Sequence, residues 1–235
     1  MGIRLITREQ AQSPSEVSGA SQRAKARKFS ACAELFRLDA TAHPAAIRTM
    51  LAGCPGSSEC RSWGEDLHDS GARALAWLEA NPSSGALLDE CTRLFGGKDW
   101  VATMPLVPPC ACSYLSPAVD GVISDVLVAY DAAGFTPWTE DRCCAAHISN
   151  ELEFMAHCLK DAAAGESDQL LTSRAFVVTH LYQWGVVFAA ATYARAENPV
   201  LRFAGSILEQ LLFCEYGHAA ASESSYRGLE PSLQF

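Results

Sequence analysis

The residues richest in chemistry lie between Cys143 and Lys160, in the run Cys-Cys-Ala-Ala-His-Ile-Ser-Asn-Glu-Leu-Glu-Phe-Met-Ala-His-Cys-Leu-Lys. At helical period His147, Glu151, Phe154 and Cys158 form one line, spaced four, three and four, so an imidazole, a carboxylate and an aromatic ring stand on neighbouring turns. Such a His–Glu pair can act as a general base with its ring oriented by the carboxylate. The helix can also turn one face to the fold and the other to a ligand. The same spacing arises on ordinary core and surface helices, where it does neither. A second cluster, Cys110, Cys112, Cys143, Cys144 and His147, offers thiolates and an imidazole for a metal or for redox chemistry, but its spacings are not the paired C-x-x-C units of zinc or iron–sulfur sites. No G-x-S-x-G, P-loop, G-x-G-x-x-G or H-E-x-x-H run occurs in the sequence, so no familiar catalytic class is indicated.

The elements that must position these groups read as helices throughout. Ile148, Leu152, Met155 and Leu159, at i, i+4, i+7 and i+11, give the central segment a continuous apolar stripe to bury. Before it, Phe29, Cys32, Leu35 and Phe36 fit one face of a helix from Gln22 to Asp39, and His43-Pro44 opens a short helix closed by Gly53. Cys54 to Ser58 is a turn. A longer helix is expected from Glu59 to Ala80, anchored by Trp63, Leu67, Leu75, Trp77 and Leu78, with a break near Gly71. The next spans Ala86 to Phe95, with Leu88, Cys91, Leu94 and Phe95 inward and Glu90 and Arg93 elsewhere, and stops at Gly96-Gly97.

Pro105, Pro108 and Pro109 keep the following stretch out of a helix. Its apolar content (Leu106, Val107, Tyr114, Leu115) predicts a hinge packed between two helical subregions, with a groove at the junction. Ser116-Pro117 starts a helix to about Ala133 that Gly134 ends. Gln169 to Arg195 carries His180, Trp184 and Phe188 at i, i+4 and i+8, and Asn198-Pro199 opens a last helix that buries Leu201, Ile207, Leu208, Leu211 and Leu212. Residues 1–20 and 216–235 show little apolar pattern and read as a mobile tail and a loosely held end. The expected fold is all-α, one helical-bundle domain over residues 21–215 with about 8–11 helices.

With 235 residues, 49% hydrophobic and 19% charged, the chain has the composition of one globular domain. No run reaches the ~18 apolar residues of a membrane span, the longest candidate being Trp184 to Ala194, and Arg4 and Arg8 are not followed by a signal-peptide core, so a cytoplasmic location is expected. In that reducing compartment the ten cysteines are thiols by default. Residues 1–30 hold six basic and two acidic residues while the rest hold 12 and 25, an acidic body that repels nucleic acid and attracts basic partners.

Three stretches, in the same order along the chain, resemble the TorD/DmsD/NarJ group of redox-enzyme maturation chaperones. The first is Glu90-x-x-Arg93-Leu-Phe-Gly-Gly. The second is the Pro-rich linker from Pro105 to Tyr114, where Cys110 replaces an aromatic. The third is His147-Ile-x-x-Glu151-Leu-x-Phe-Met, where Ala146 stands in place of the family's Asp. A fainter fourth is His180-x-x-x-Trp184-x-x-x-Phe188. The resemblance implies a helical, cytoplasmic, non-catalytic chaperone without a cofactor, which binds the twin-arginine signal peptide or apo-form of a molybdopterin oxidoreductase subunit and leaves a homodimer open. It implies that His147, Glu151, Tyr114, Phe154, Trp184, His180, Glu90 and Arg93 line the signal-peptide site. On the residues alone, Trp184 reads as a core anchor, and Tyr114 equally as a packing peg or a groove wall. A metal or redox role of the cysteine cluster is the alternative.

Overall fold

Capping chemistry sets several of the helix ends. The structure, a computed structural model, describes residues 19–37, 43–52, 61–62, 65–83, 85–96, 105–115, 119–138 and 145–227. Within them the fold is all-α, with helices α1 Gly19–Leu35, α2 His43–Leu51, α3 Leu67–Ala80, α4 Gly85–Phe95, α5 Val119–Ala132, α6 Ile148–Ala164, α7 Ser167–Arg195 and α8 Pro199–Arg227. Arg61–Ser62 and Glu65–Asp66 pair as a two-residue antiparallel ladder, and Ala111–Ser113 is a single 3₁₀ turn.

Asp66 rather than Glu59 marks the start of α3, because its carboxylate accepts the N–H groups of His68 (2.9 Å) and Asp69 (3.3 Å), two of the orphan donors of a first turn. Nor does Gly71 break that helix. It faces α2 so closely that a β-carbon there would lie 2.7 Å from Leu51 Cδ1, which makes it a packing glycine. Asn198 Oδ1 caps α8 through the Val200 N–H at 2.9 Å, with Pro199 in the first helical position. Gly165, at φ 111°, closes α6 in the left-handed conformation. Helix α8 continues to Arg227, past the end expected near residue 215. Residues 1–18, 38–42, 53–60, 63–64, 84, 97–104, 116–118, 139–144 and 228–235 lie outside the description, and with them the expected N-terminal tail, the Gly53 stop, the Cys54 to Ser58 turn, the Trp63 anchor, Gly97, the Ser116-Pro117 start and Cys143-Cys144.

The core forms where α6 is enclosed. Ile148, Leu152, Met155 and Leu159 are buried as their period requires, and so are Glu151, Phe154 and Cys158 on the second line. Helix α6 packs chiefly on α1 and α7, α7 on α8, and α8 on α3. Helices from before the Pro-rich linker therefore meet helices from after it in one core. The linker itself is sewn down: the Val107 N–H donates to Leu94 O (2.8 Å), the Ala111 N–H to Ala146 O (3.0 Å), and the Ile148 N–H to Pro109 O (2.9 Å). By length and composition α7 could cross a membrane, but nearly half of its most apolar stretch is buried inside the molecule.

Candidate functional site

Glu151 is the polar centre of the interior. It sits on the first turn of α6 with no exposed surface, and it receives two hydrogen bonds from α7. The Trp184 indole N–H donates to Oε2 at 3.0 Å, and His180 Nε2 meets Oε1 at 2.8 Å. Burial pushes the Glu151 carboxyl above its usual range, against the pull of His180 and the indole. For His180, burial works against the charged ring, yet the Glu151 carboxylate outweighs it and the pKa rises. A buried carboxylate with two directed donors satisfies the requirement that a buried charge be paired.

The pairing differs from the one suggested by spacing along α6. His147 does not turn toward Glu151; it is the N-cap of α6, its Nδ1 accepting the Ser149 N–H at 3.2 Å. Helix α6 begins at Ile148 because this imidazole satisfies one of the first-turn donors. Half-buried and near Arg37, His147 has its pKa lowered to about 4, burial being the larger cause and the guanidinium the smaller. The exposed Trp138 ring approaches its edge at 6.3 Å between centroids.

Tyr114, at the end of the linker, stacks on Trp184 with ring centres 5.6 Å apart and planes 29° off parallel, and burial pushes its phenol up to about 12. Phe154 has no exposed surface and packs among Tyr130, Phe135 and Phe176. Glu90 and Arg93 belong to a separate clasp. Arg93 donates to both Glu90 oxygens at 2.7 Å and to Arg195 O at 2.9 Å, while Glu90 Oε1 also accepts the Glu197 N–H at 2.8 Å. This joins α4 to the α7–α8 corner. It also turns Glu90 inward and leaves Leu88 41% exposed, the reverse of the apolar pattern.

Of the eight expected residues, the structure thus unites Glu151, His180, Trp184 and Tyr114; Phe154 is core beside them, His147 caps the helix, and Glu90 and Arg93 lie in the clasp. Where His180 reaches the surface a groove of about 510 Å³ opens between α5 and α7, lined by Asp125, Val126, Ala129, Thr172, Ala175, Phe176, Thr179 and His180. Asp125, exposed on its rim, adds to the field that raises the His180 pKa. The α-helical pattern of α7 is interrupted here by a π turn, Val177–Leu181, which carries His180; such turns recur at functional sites. Except for His180, the groove residues were not singled out from the sequence. A signal was present: Thr172, Ala175, Phe176 and Thr179, at i, i+3, i+4 and i+7, form a line of mostly short side chains along one face.

The linker thiols also border this centre. Cys110 is buried and Cys112 half-buried, and Cys112 feels both Glu151 and His180. Among the described residues no group of three or more His, Cys, Asp or Glu side chains is placed to hold a metal ion.

The family model described as nitrate reductase delta subunit matches residues 64–190. No curated protein and no solved structure matches the chain. The matched span covers over half of the sequence and includes α3 to α6, the linker and the part of α7 that supplies His180 and Trp184. The chain belongs to the nitrate reductase delta subunit family, NarJ/TorD-like redox-enzyme maturation chaperones.

Proposed function

We propose that this chain is a cytoplasmic, non-catalytic chaperone that binds the twin-arginine signal peptide, or the apo-form that carries it, of a molybdopterin oxidoreductase subunit. We place the binding surface in the groove between α5 and α7. The observation that carries the reading is that His180, held from behind by the buried Glu151, lines a groove that Asp125 also lines. The buried Glu151 charge is taken up by His180 and Trp184, so the net negative charge open to a ligand is that of Asp125. Val126, Ala129 and Phe176 supply an apolar floor for the hydrophobic part of a leader, and the small side chains leave room for its backbone. The formal net charge of −9 favours approach of a basic segment.

The test is calorimetric titration of the full chain with a synthetic twin-arginine leader, and with the same leader carrying two lysines. Asp125→Asn and His180→Gln should each weaken binding about tenfold, or ~1.4 kcal/mol, and the lysine leader should bind more weakly because it loses the forked contact. Unchanged affinity in both variants, with unchanged circular dichroism, would remove the groove as the site. A wild-type chain with no affinity for either leader would remove the partner.

A further inference from the structure

We infer that Cys110 and Cys112 are a peroxide-reactive dithiol, which closes to an intramolecular disulfide beside the Glu151–His180 pair. The two residues flank Ala111 where extended backbone at Cys110 (φ −131°, ψ 135°) enters the 3₁₀ turn Ala111–Ser113, and their thiols are within hydrogen-bonding reach of each other. The pair is asymmetric. Cys110 is 1% exposed, whereas Cys112 is half-buried and reachable from solvent. The hydrogen-bonding contact with Cys110 holds the Cys112 thiol below its usual pKa, burial and Glu151 oppose this, and His180 assists it. Cys110 is pushed the other way, first by that same contact and then by burial. An accessible, acidified thiol with a second thiol in contact is the arrangement of an attacking and a resolving cysteine. Three other cysteines are buried with pKa values raised by burial: Cys32, and Cys91 and Cys158, each of the last two to about 12.

The chemistry closes with hydrogen peroxide as the oxidant. The Cys112 thiolate attacks one peroxide oxygen, the O–O bond breaks, and the departing hydroxide takes a proton to leave as water, with Cys112 now a sulfenic acid. The Cys110 sulfur then attacks the Cys112 sulfur. The S–S bond forms, the S–O bond breaks, and the oxygen leaves with the Cys110 proton as a second water. The two thiols lose two electrons in total and the peroxide gains them. Nothing in this step depends on what occupies the groove.

The experiment treats the reduced full chain with one equivalent of hydrogen peroxide, alkylates the remaining thiols, digests the protein and weighs the fragments. The fragment holding Cys110 and Cys112 should lose two hydrogens and resist alkylation, and it should react about tenfold faster than those holding Cys32, Cys91 or Cys158. In Cys110→Ser, Cys112 should stop at the sulfenic acid and be trapped by dimedone; in Cys112→Ser, Cys110 should stay a thiol. Oxidation at Cys110 and Cys112 no faster than at the buried cysteines would overturn the inference, as would a bond from either sulfur to any other cysteine. Persistence of peroxide reactivity at Cys110 in Cys112→Ser would overturn the assignment of roles.

Discussion

His180 Nε2 stands 2.8 Å from Glu151 Oε1, a contact that ties the π turn of α7 to the first turn of α6 in a place where Glu151 has no access to water. The consequence is that Glu151 holds up the interior from which the groove is built. Removing it strands two donors at once, the Trp184 indole N–H and His180 Nε2.

Glu151→Ala should therefore destabilise the protein by about 3–5 kcal/mol, the range for breaking a buried pair by deleting one partner. Glu151→Gln keeps an acceptor oxygen and nearly the same volume, and should cost about 1–2 kcal/mol. Urea unfolding at pH 7 separates the two. Equal losses in both variants would mean that the unpaired donors are not what matters.

The pKa of His147 gives a pH prediction of definite sign. Its folded value is about 4 against an ordinary 6.5, so between those values the unfolded chain binds a proton that the folded chain refuses. The stability it contributes is complete above pH 6.5 and is lost as pH falls toward 4, amounting to at most about 3–4 kcal/mol at 1.36 kcal/mol per unit. His180 is shifted upward, so its contribution is complete below 6.5 and does not add to this loss. His147→Asn retains a side-chain oxygen to cap Ser149 and should flatten the decline between pH 6.5 and 4. Parallel curves for wild type and variant in denaturant titrations across this range would refute the assignment.

At the α4 clasp the two partners should not be equivalent. Glu90 is nearly buried and also accepts the Glu197 N–H, whereas the Arg93 side chain is 36% exposed. Glu90→Ala leaves the Glu197 N–H unmatched, removes two of the guanidinium's hydrogen bonds and should lower Tm by about 4–8 °C, while Arg93→Ala should lower it by about half as much. Thermal melts followed by circular dichroism check the order; a larger loss in Arg93→Ala would place the weight on its bond to Arg195 O instead.

What could be read from the sequence and what could not divide along physical lines. Apolar period and helix punctuation found nearly every helix, because burial of a stripe and capping of orphan groups are local demands. Ile148, Leu152, Met155 and Leu159 are buried as their spacing required. The errors fall on polar side chains with distant partners. Glu90 turned inward because the Glu197 N–H, far along the chain, completes its shell, and Glu151 chose His180 over His147 for the same reason. His147 was legible as part of a motif but not as a cap, since a histidine N-cap has no strong sequence signature. The ladder at Arg61–Ser62 and Glu65–Asp66, which displaced the start of α3, is too short to leave an alternating pattern.

The approach of α7 to α8 makes the last prediction. A β-carbon at Gly205 would lie 2.8 Å from both Ala189 O and Tyr193 N, so the two helix backbones meet there with no room for a side chain. Neither atom can rotate away as a side-chain tip could, and relief requires the helices to part. That would disturb the packing of Trp184 and Phe188, which lie on α7 with no exposed surface. Gly205→Ala should thus destabilise the fold by about 2–3 kcal/mol in spite of alanine's higher helix propensity. Gly85→Ala is the matched control: it opens α4 on the surface with nothing within 4 Å, and it should be neutral or stabilising by up to ~1 kcal/mol. Chemical denaturation of both variants decides the point, and a Gly205→Ala protein as stable as wild type would show that the two helices are not held at this separation.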